Sequence, residues 1–196
     1  MPALHEAEPI DDLLAGIAAC RACSHVLPLG PRPVLQISPT ARILVASQAP
    51  GTKVHHSGVP FADASGDRLR EWMGVAREEF YDASRVAIVP MGLCYPGRKG
   101  GGDAPPRPEC APLWRARIMA QLRQLRLTLL IGSYAQVERL GRGAMTERVR
   151  AFRDHLPEVL PLPHPSWRSQ VWMKRNPWFE AEVLPALRSA VREALA

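Results

Sequence analysis

The sequence predicts an α/β fold: a three-layer α/β/α sandwich with a central, mostly parallel four-stranded sheet. Three observations point there. Residues 42–47, 86–90, 127–132 and 159–162 are short runs, apolar at consecutive rather than alternating positions, as strands covered on both faces require. Segments with helical apolar spacing lie between them, and strands alternating with helices build right-handed βαβ units. Each run is followed by a segment rich in Gly, Pro and polar residues, where open parallel sheets bind ligands.

In chain order, residues 11–19 place Leu13, Leu14 and Ile17 on one helical face, ahead of the first strand at 42–47. Residues 65–75 then bring Leu69, Trp72 and Met73 together, before the strand at 86–90. A helix over 112–125 precedes the strand at 127–132, a second over 133–140 follows it, and the strand at 159–162 comes next. A last helix over 178–196 presents Val183, Leu184, Leu187 and Val191. The 20 prolines gather in 28–39, 90–112 and 157–165 with apolar residues between them, which reads as ordered, rigid loops. No repeat or heptad interrupts this order. A length of 196 residues suits one domain over 1–196, large enough for a real core, with roughly the first ten residues a flexible extension.

The net charge of +6 is compatible with a polyanionic partner such as nucleic acid, and equally with an ordinary basic protein. Residues 1–10 carry Glu6, Glu8 and no apolar run, so they do not form a secretory signal. The apolar runs are strand-length, far short of the ~20 residues of a membrane helix. A soluble, cytoplasmic protein, monomeric and with reduced thiols, is expected. In such a compartment cysteines are more often metal ligands or catalytic groups than disulfides.

Four segments leave the carboxyl ends of the expected strands: 48–51 (Gln-Ala-Pro-Gly), 92–97, 132–134 and 164–168 (His-Pro-Ser-Trp-Arg). Their convergence at one edge is the bottom-up case for a site. The four cysteines fit one metal centre: Cys20 and Cys23 offer adjacent thiolates, and Cys94 and Cys110 flank a Pro/Gly-rich loop that closes the shell. Spacing alone leaves zinc and an iron–sulfur cluster both open, and four scattered buried thiols are the bland alternative. Cys94 as a nucleophile activated by His164 is a further option, but it leaves three cysteines without a purpose.

Taken together, Gln48-Ala-Pro-Gly51, then Gly58-Val-Pro-Phe61 with Ser65-Gly66, then His164-Pro-Ser166 resemble the landmarks of the uracil-DNA glycosylase superfamily. The order of Cys20, Cys23, Cys94 and Cys110 resembles its iron–sulfur, family 4-like branch. The resemblance runs from about residue 15 to the C-terminus and implies DNA as partner, with a damaged base flipped out of it. It also implies a [4Fe-4S] cluster on the four cysteines, with zinc the lesser alternative. By the same resemblance, Phe61 stacks on the flipped base and His164 hydrogen-bonds the departing base. Gln48 takes the second motif position and joins His164 and Asp63 as a catalytic candidate, with Ala49, Gly51 and Ser166 near the base and its sugar phosphate. Trp167 and Arg168 meet DNA, the first as a wedge and the second on phosphate; core packing is the alternative for Trp167, as it is for Phe61.

The sequence departs from that branch twice. Residues 89–93 (Val-Pro-Met-Gly-Leu) hold no asparagine, whose amide reads the uracil edge in the branch. Thr52-Lys-Val-His-His56 replaces the acidic residues that follow the first motif. Asp63 and Asp67 are the candidates for a water-activating carboxylate, with capping of the following helix as the other use of Asp63 or Ser65. His55, His56, Arg98 and Lys99 are candidates to line the altered pocket. The functions to separate are a DNA-repair glycosylase for uracil or another damaged base, a non-catalytic iron–sulfur DNA-binding or redox protein, and a thiol hydrolase.

Overall fold

The structure, a computed structural model, describes residues 8–196. The expectations for the N-terminal extension lie, for residues 1–7, outside the described residues. Helix α1 (Ile10–Ala18) leads into β1 (Ile43–Ser47), followed by α2 (Thr52–Ser57), α3 (Ala64–Met73) and α4 (Arg77–Phe80). Strand β2 (Val86–Pro90) precedes a hairpin of β3 (Arg98–Lys99) and β4 (Gly102–Asp103), then α5 (Cys110–Gln121) and β5 (Leu127–Ile131). Helices α6 (Ser133–Leu140) and α7 (Met145–Arg150) lead to β6 (Val159–Leu162), and α8 (Arg168–Arg175) and α9 (Leu184–Leu195) close the chain.

The main sheet is parallel throughout, in the order β2-β1-β5-β6. Register pairs Ile43 with both Val86 and Leu127, so the strands start level and end level. Their carboxyl ends therefore share one rim. Every residue of β1 and β2 is buried, which explains the unalternating apolar runs. The outer side of β2 is not left bare: Gln36 pairs antiparallel with Ile88 through N–H···O bonds of 2.9 and 2.7 Å, removing an open edge.

Alternate residues of each strand feed two separate cores, as a period of two requires. Ile43, Val45, Ile88 and Leu129 meet Leu69, Trp72, Phe80, Phe179 and Leu187 on one face. Leu44, Ala46, Val89 and Leu130 meet Leu13, Ile17, Ile118 and Ala135 on the other. Helices thus cover both faces, the three-layer arrangement expected. Among the described residues no helix is long and apolar enough to cross a membrane.

The strands fall within a residue of their expected bounds; the helices differ more. Residues 178–195 are helical without a break, as expected, but the first part winds as a π-helical turn at Phe179–Val183 ahead of α9, where Pro185 has no N–H to continue the α-helical ladder. Helix α5 begins at Cys110, two residues early, and stops at Gln121. Helix α8 takes Arg168 out of the loop in which the sequence placed it; Ser169 is its one buried residue, so no apolar stripe announces it.

Candidate active site

A cavity of ≈ 160 Å³ opens at the carboxyl ends of β1, β2 and β6. Ala49, Gly51, Phe61, Asp63, His164 and Ser166 all line it, together with Ser47, Pro90 and Asp103. Six residues expected at the site from the sequence are thus brought together. The first and last of the four strand-end segments supply much of the wall. Segment 132–134 instead starts α6, with Gly132 backing onto His164.

Phe61 is held in a costly conformation. Its φ is 54°, a left-handed value that costs a non-glycine residue about 1–3 kcal/mol and persists only where the surroundings enforce it. The Tyr81 hydroxyl does so, lying 3.0 Å from the Pro60 carbonyl and 3.2 Å from that of Phe61, and accepting from Arg70. Gly66 is required opposite, since a Cβ there would sit 1.8 Å from the Phe61 oxygen. That contact explains the Ser65-Gly66 pair. The ring packs edge-to-face on Phe80 at 6.2 Å and is 9% exposed, its remaining surface turned to the cavity. Core packing and cavity lining are therefore both true of it.

Asp63, not Ser65, caps α3. Its Oδ1 accepts from Ser65 N (2.9 Å) and Gly66 N (3.0 Å), an arrangement worth about 1 kcal/mol. Asp67 pairs with Arg70, and its side chain is 74% exposed. It stands outside the cavity and drops out as a candidate carboxylate. The same α3 fixes the histidine segment: Arg68 donates to Ser166 O (2.8 Å) and Pro165 O (3.3 Å).

His164 sits in that loop, just past β6. Burial lowers its pKa from the usual 6.5, and the opposing pull of Asp63 and Asp103 does not restore it. The imidazole is therefore neutral at pH 7, with one N–H to donate.

Gln48 does not line the cavity. Its Nε2 donates to Ala104 O at 2.9 Å, and its carbonyl accepts from Gly92 N at 3.0 Å. Expected from the sequence as a catalytic residue, it is instead placed to hold the β3–β4 hairpin against the end of β1. That hairpin carries Asp103, which the sequence reading missed. Its Oδ2 lies 3.3 Å from where a Gly51 Cβ would stand. The signal was present in Lys99-Gly-Gly-Gly-Asp103, a composition suited to a tight hairpin, yet nothing local says where the hairpin docks. Ser47, the last residue of β1, also lines the cavity and was read from the sequence only as part of the strand.

His55, His56, Arg98 and Lys99 are not among the lining residues. His55 is buried beside Tyr95, ring centres 6.1 Å apart, with an unpartnered Nδ1; Arg98 and Lys99 are exposed on the hairpin. Trp167 is not core: it is 69% exposed, with the Arg168 guanidinium 5.4 Å from its ring centre.

Segment 92–97 serves a second hollow, where Gly92, Leu93 and Cys94 meet Cys20, Cys23 and Cys110 among Leu27, Leu113 and Trp114. No disulfide links the four thiols. Leu93 N donates to Cys110 Sγ at 3.3 Å, and the Cys23 thiol reaches Glu109 Oε2 at 3.8 Å. Among the described residues, no three or more His, Cys, Asp or Glu side chains are grouped as a single metal ion needs. Burial pushes the Cys94 thiol up to about 11, the opposite of what a nucleophile needs. Cys94 and His164 also line different hollows. The thiol-hydrolase reading is withdrawn on both counts.

A family model described as the uracil DNA glycosylase superfamily matches residues 35–188. The matched span takes in the cavity and the hairpin; Cys20 and Cys23 fall before it.

Proposed function

The chain belongs to the uracil-DNA glycosylase superfamily, and on that premise we propose that it hydrolyses the N-glycosidic bond of uracil or another damaged base flipped out of DNA. The observation that carries the reading is the meeting of Phe61 and His164 with Ala49 and Gly51 around one cavity at the strand ends. A stacked base cannot be attacked, so it must be extruded into a pocket at a cost of a few kcal/mol. Stacking on an aromatic ring returns about 1–3 kcal/mol, and Phe61 offers its face there. As the C1′–N bond breaks, negative charge grows on the base. A neutral His164 N–H aimed at a base oxygen stabilises that charge more than it stabilises the ground state, which is what accelerates the step.

The asparagine-free stretch 89–93 contributes Pro90 to the wall. Base edges then meet Ser47 and Ser166 hydroxyls, which both donate and accept, rather than an amide matched to uracil. The lesion accepted is on this account not restricted to uracil. Trp167, at the exposed end of the histidine loop, and Arg168, the first residue of α8, are suited to meet the strand from which the base has left. A purely DNA-binding role is not favoured, because it gives no purpose to a histidine and two carboxylates around a base-sized hollow.

Cys20, Cys23, Cys94 and Cys110 would hold a [4Fe-4S] cluster, tying the end of α1 to the start of α5. The donor set supports this: four unlinked thiols line one apolar hollow, and a backbone amide already donates to Cys110 Sγ. Thiolates spread around a hollow suit a cluster better than a tetrahedral zinc ion, whose ligands converge on one point. The cluster would serve as a brace; no step of the excision passes through it.

The test is a panel of labelled oligonucleotides, single- and double-stranded, containing uracil, hypoxanthine or xanthine, treated with the protein and then alkali. Strand breakage at a lesion is expected. Binding without breakage across the whole panel would replace the glycosylase reading with the DNA-binding one.

A further inference from the structure

Two carboxylates reach the cavity, and they are not equivalent. One oxygen of Asp63 is committed to two backbone N–H groups at the start of α3. The Asp103 carboxylate has no hydrogen bond or ion pair among the described residues, and its Oδ2 stands against the Gly51 backbone. We propose that Asp103, carried into the cavity mouth on the β3–β4 hairpin, is the group that takes the proton of the attacking water. This rests on the glycosylase reading above and moves to Asp103 the role that the sequence placed on Asp63.

Position carries the argument. A flipped nucleotide puts its base in the pocket while its sugar stays with the backbone outside. C1′ therefore lies at the mouth, and attack comes from the side away from the departing base. Asp103 is exposed at that mouth, whereas Phe61 is buried. Anchorage is the second line. A hairpin pairing two residues with two is unstable by itself, yet this one is lengthened by Ala104 N donating to Gly97 O (2.8 Å) and fastened from outside at two points. Gln48 Nε2 donates to Ala104 O (2.9 Å) and Arg168 Nη2 to Gly101 O (3.1 Å). A positioning role for Gln48 follows: it fixes the residue next to Asp103. Partial burial also raises the Asp103 pKa above the ordinary 3.8, which makes it a better base than a free carboxylate.

The step balances without a further reactant. The water oxygen bonds to C1′ while one of its protons passes to Asp103. The C1′–N bond breaks with its electron pair leaving on the base, whose anion accepts the His164 hydrogen bond. The anion then takes up a proton, Asp103 returns to its ionised form, and a hydroxyl remains on C1′ of the abasic strand.

The closing experiment separates this from the parent reading. Affinities of wild type, Asp103→Asn and Asp63→Asn are measured for two product-like duplexes. One carries a cationic pyrrolidine in place of the abasic sugar, the other a neutral tetrahydrofuran. Wild type is expected to prefer the cationic duplex about tenfold or more; Asp103→Asn loses most of that preference and Asp63→Asn the smaller share. On any lesion that wild type excises, kcat of Asp103→Asn falls about 10²–10⁴-fold, the usual worth of a general base. An Asp103→Asn protein that keeps the cationic preference, or a wild type that shows none, overturns the proposal. Charge preference without excision of any lesion would place the Asp103 carboxylate beside the sugar yet sink the glycosylase reading, and the proton-accepting role with it.

Discussion

Two hollows of this molecule, at the strand ends and beyond α1, sit on the same sheet scaffold and differ in chemistry. The one at the strand ends is ringed by groups whose polar capacity is not used up: His164, Asp103 and the hydroxyls of Ser47 and Ser166. The one beyond α1 presents thiols among Leu27, Leu93, Leu113 and Trp114. Burial pushes thiols towards their neutral form in the second and keeps an imidazole neutral in the first. The same desolvation therefore disables a nucleophile in one place and prepares a hydrogen-bond donor in the other. The thiols must give up their protons to a bound metal group before they can act as ligands, whereas the imidazole is ready to donate as it stands.

Substitutions at the two hollows should separate cleanly. His164→Ala is expected to lower the excision rate about 10²–10³-fold, as loss of one donor to a developing anion does, with thermal unfolding unchanged. Cys23→Ser should do the reverse: lose the brown colour and iron content of the purified protein and lower its solubility. A soluble, fully brown Cys23→Ser protein would break the comparison from the other side. Phe61→Ala is expected to weaken binding of lesion-containing strands by about 1–3 kcal/mol, the usual worth of one base–aromatic contact, measured by titration with a labelled oligonucleotide.

The pH profile sharpens the contrast further. His164 has a lowered pKa, so it is already neutral at pH 7 and should add no limb near 6.5. Asp103 has a raised pKa, so excision should fall as acid protonates it, at a pH above the ordinary 3.8. Asp103→Asn should remove that limb, and an unaltered profile in the variant would contradict it. The smallest effect is expected of Arg168→Ala. Loss of one phosphate contact should weaken binding uniformly across sequences and reduce the salt slope by about 1.

Much of this arrangement was legible before any coordinates. The strands were, because runs such as residues 43–47 are buried on both faces and carry the signature in composition alone. The cavity was, because a parallel sheet puts its strand-end segments on one rim. Helices α2 and α4 were not, being six and four residues long, too short for a 3.6-residue period to register. Helix α8 was hidden by its polarity. Gln48 was counted among the catalytic residues because a motif fixes a residue's place in the chain and not the direction of its side chain. Asp103 escaped because its approach to Gly51 depends on how the hairpin of residues 98–103 docks, which is a tertiary contact with no local trace. Trp167 could be read as wedge or core, and only its exposure decided against core.

The central claim, that the cavity holding Phe61 and His164 is where a base is cut from DNA, is tested most directly by release of the free base. Duplexes bearing each candidate lesion are incubated with excess protein, and the small-molecule fraction is analysed by mass spectrometry. Free base at a rate lost in His164→Ala is the predicted result. No free base from any lesion, or equal release by wild type and His164→Ala, would contradict it.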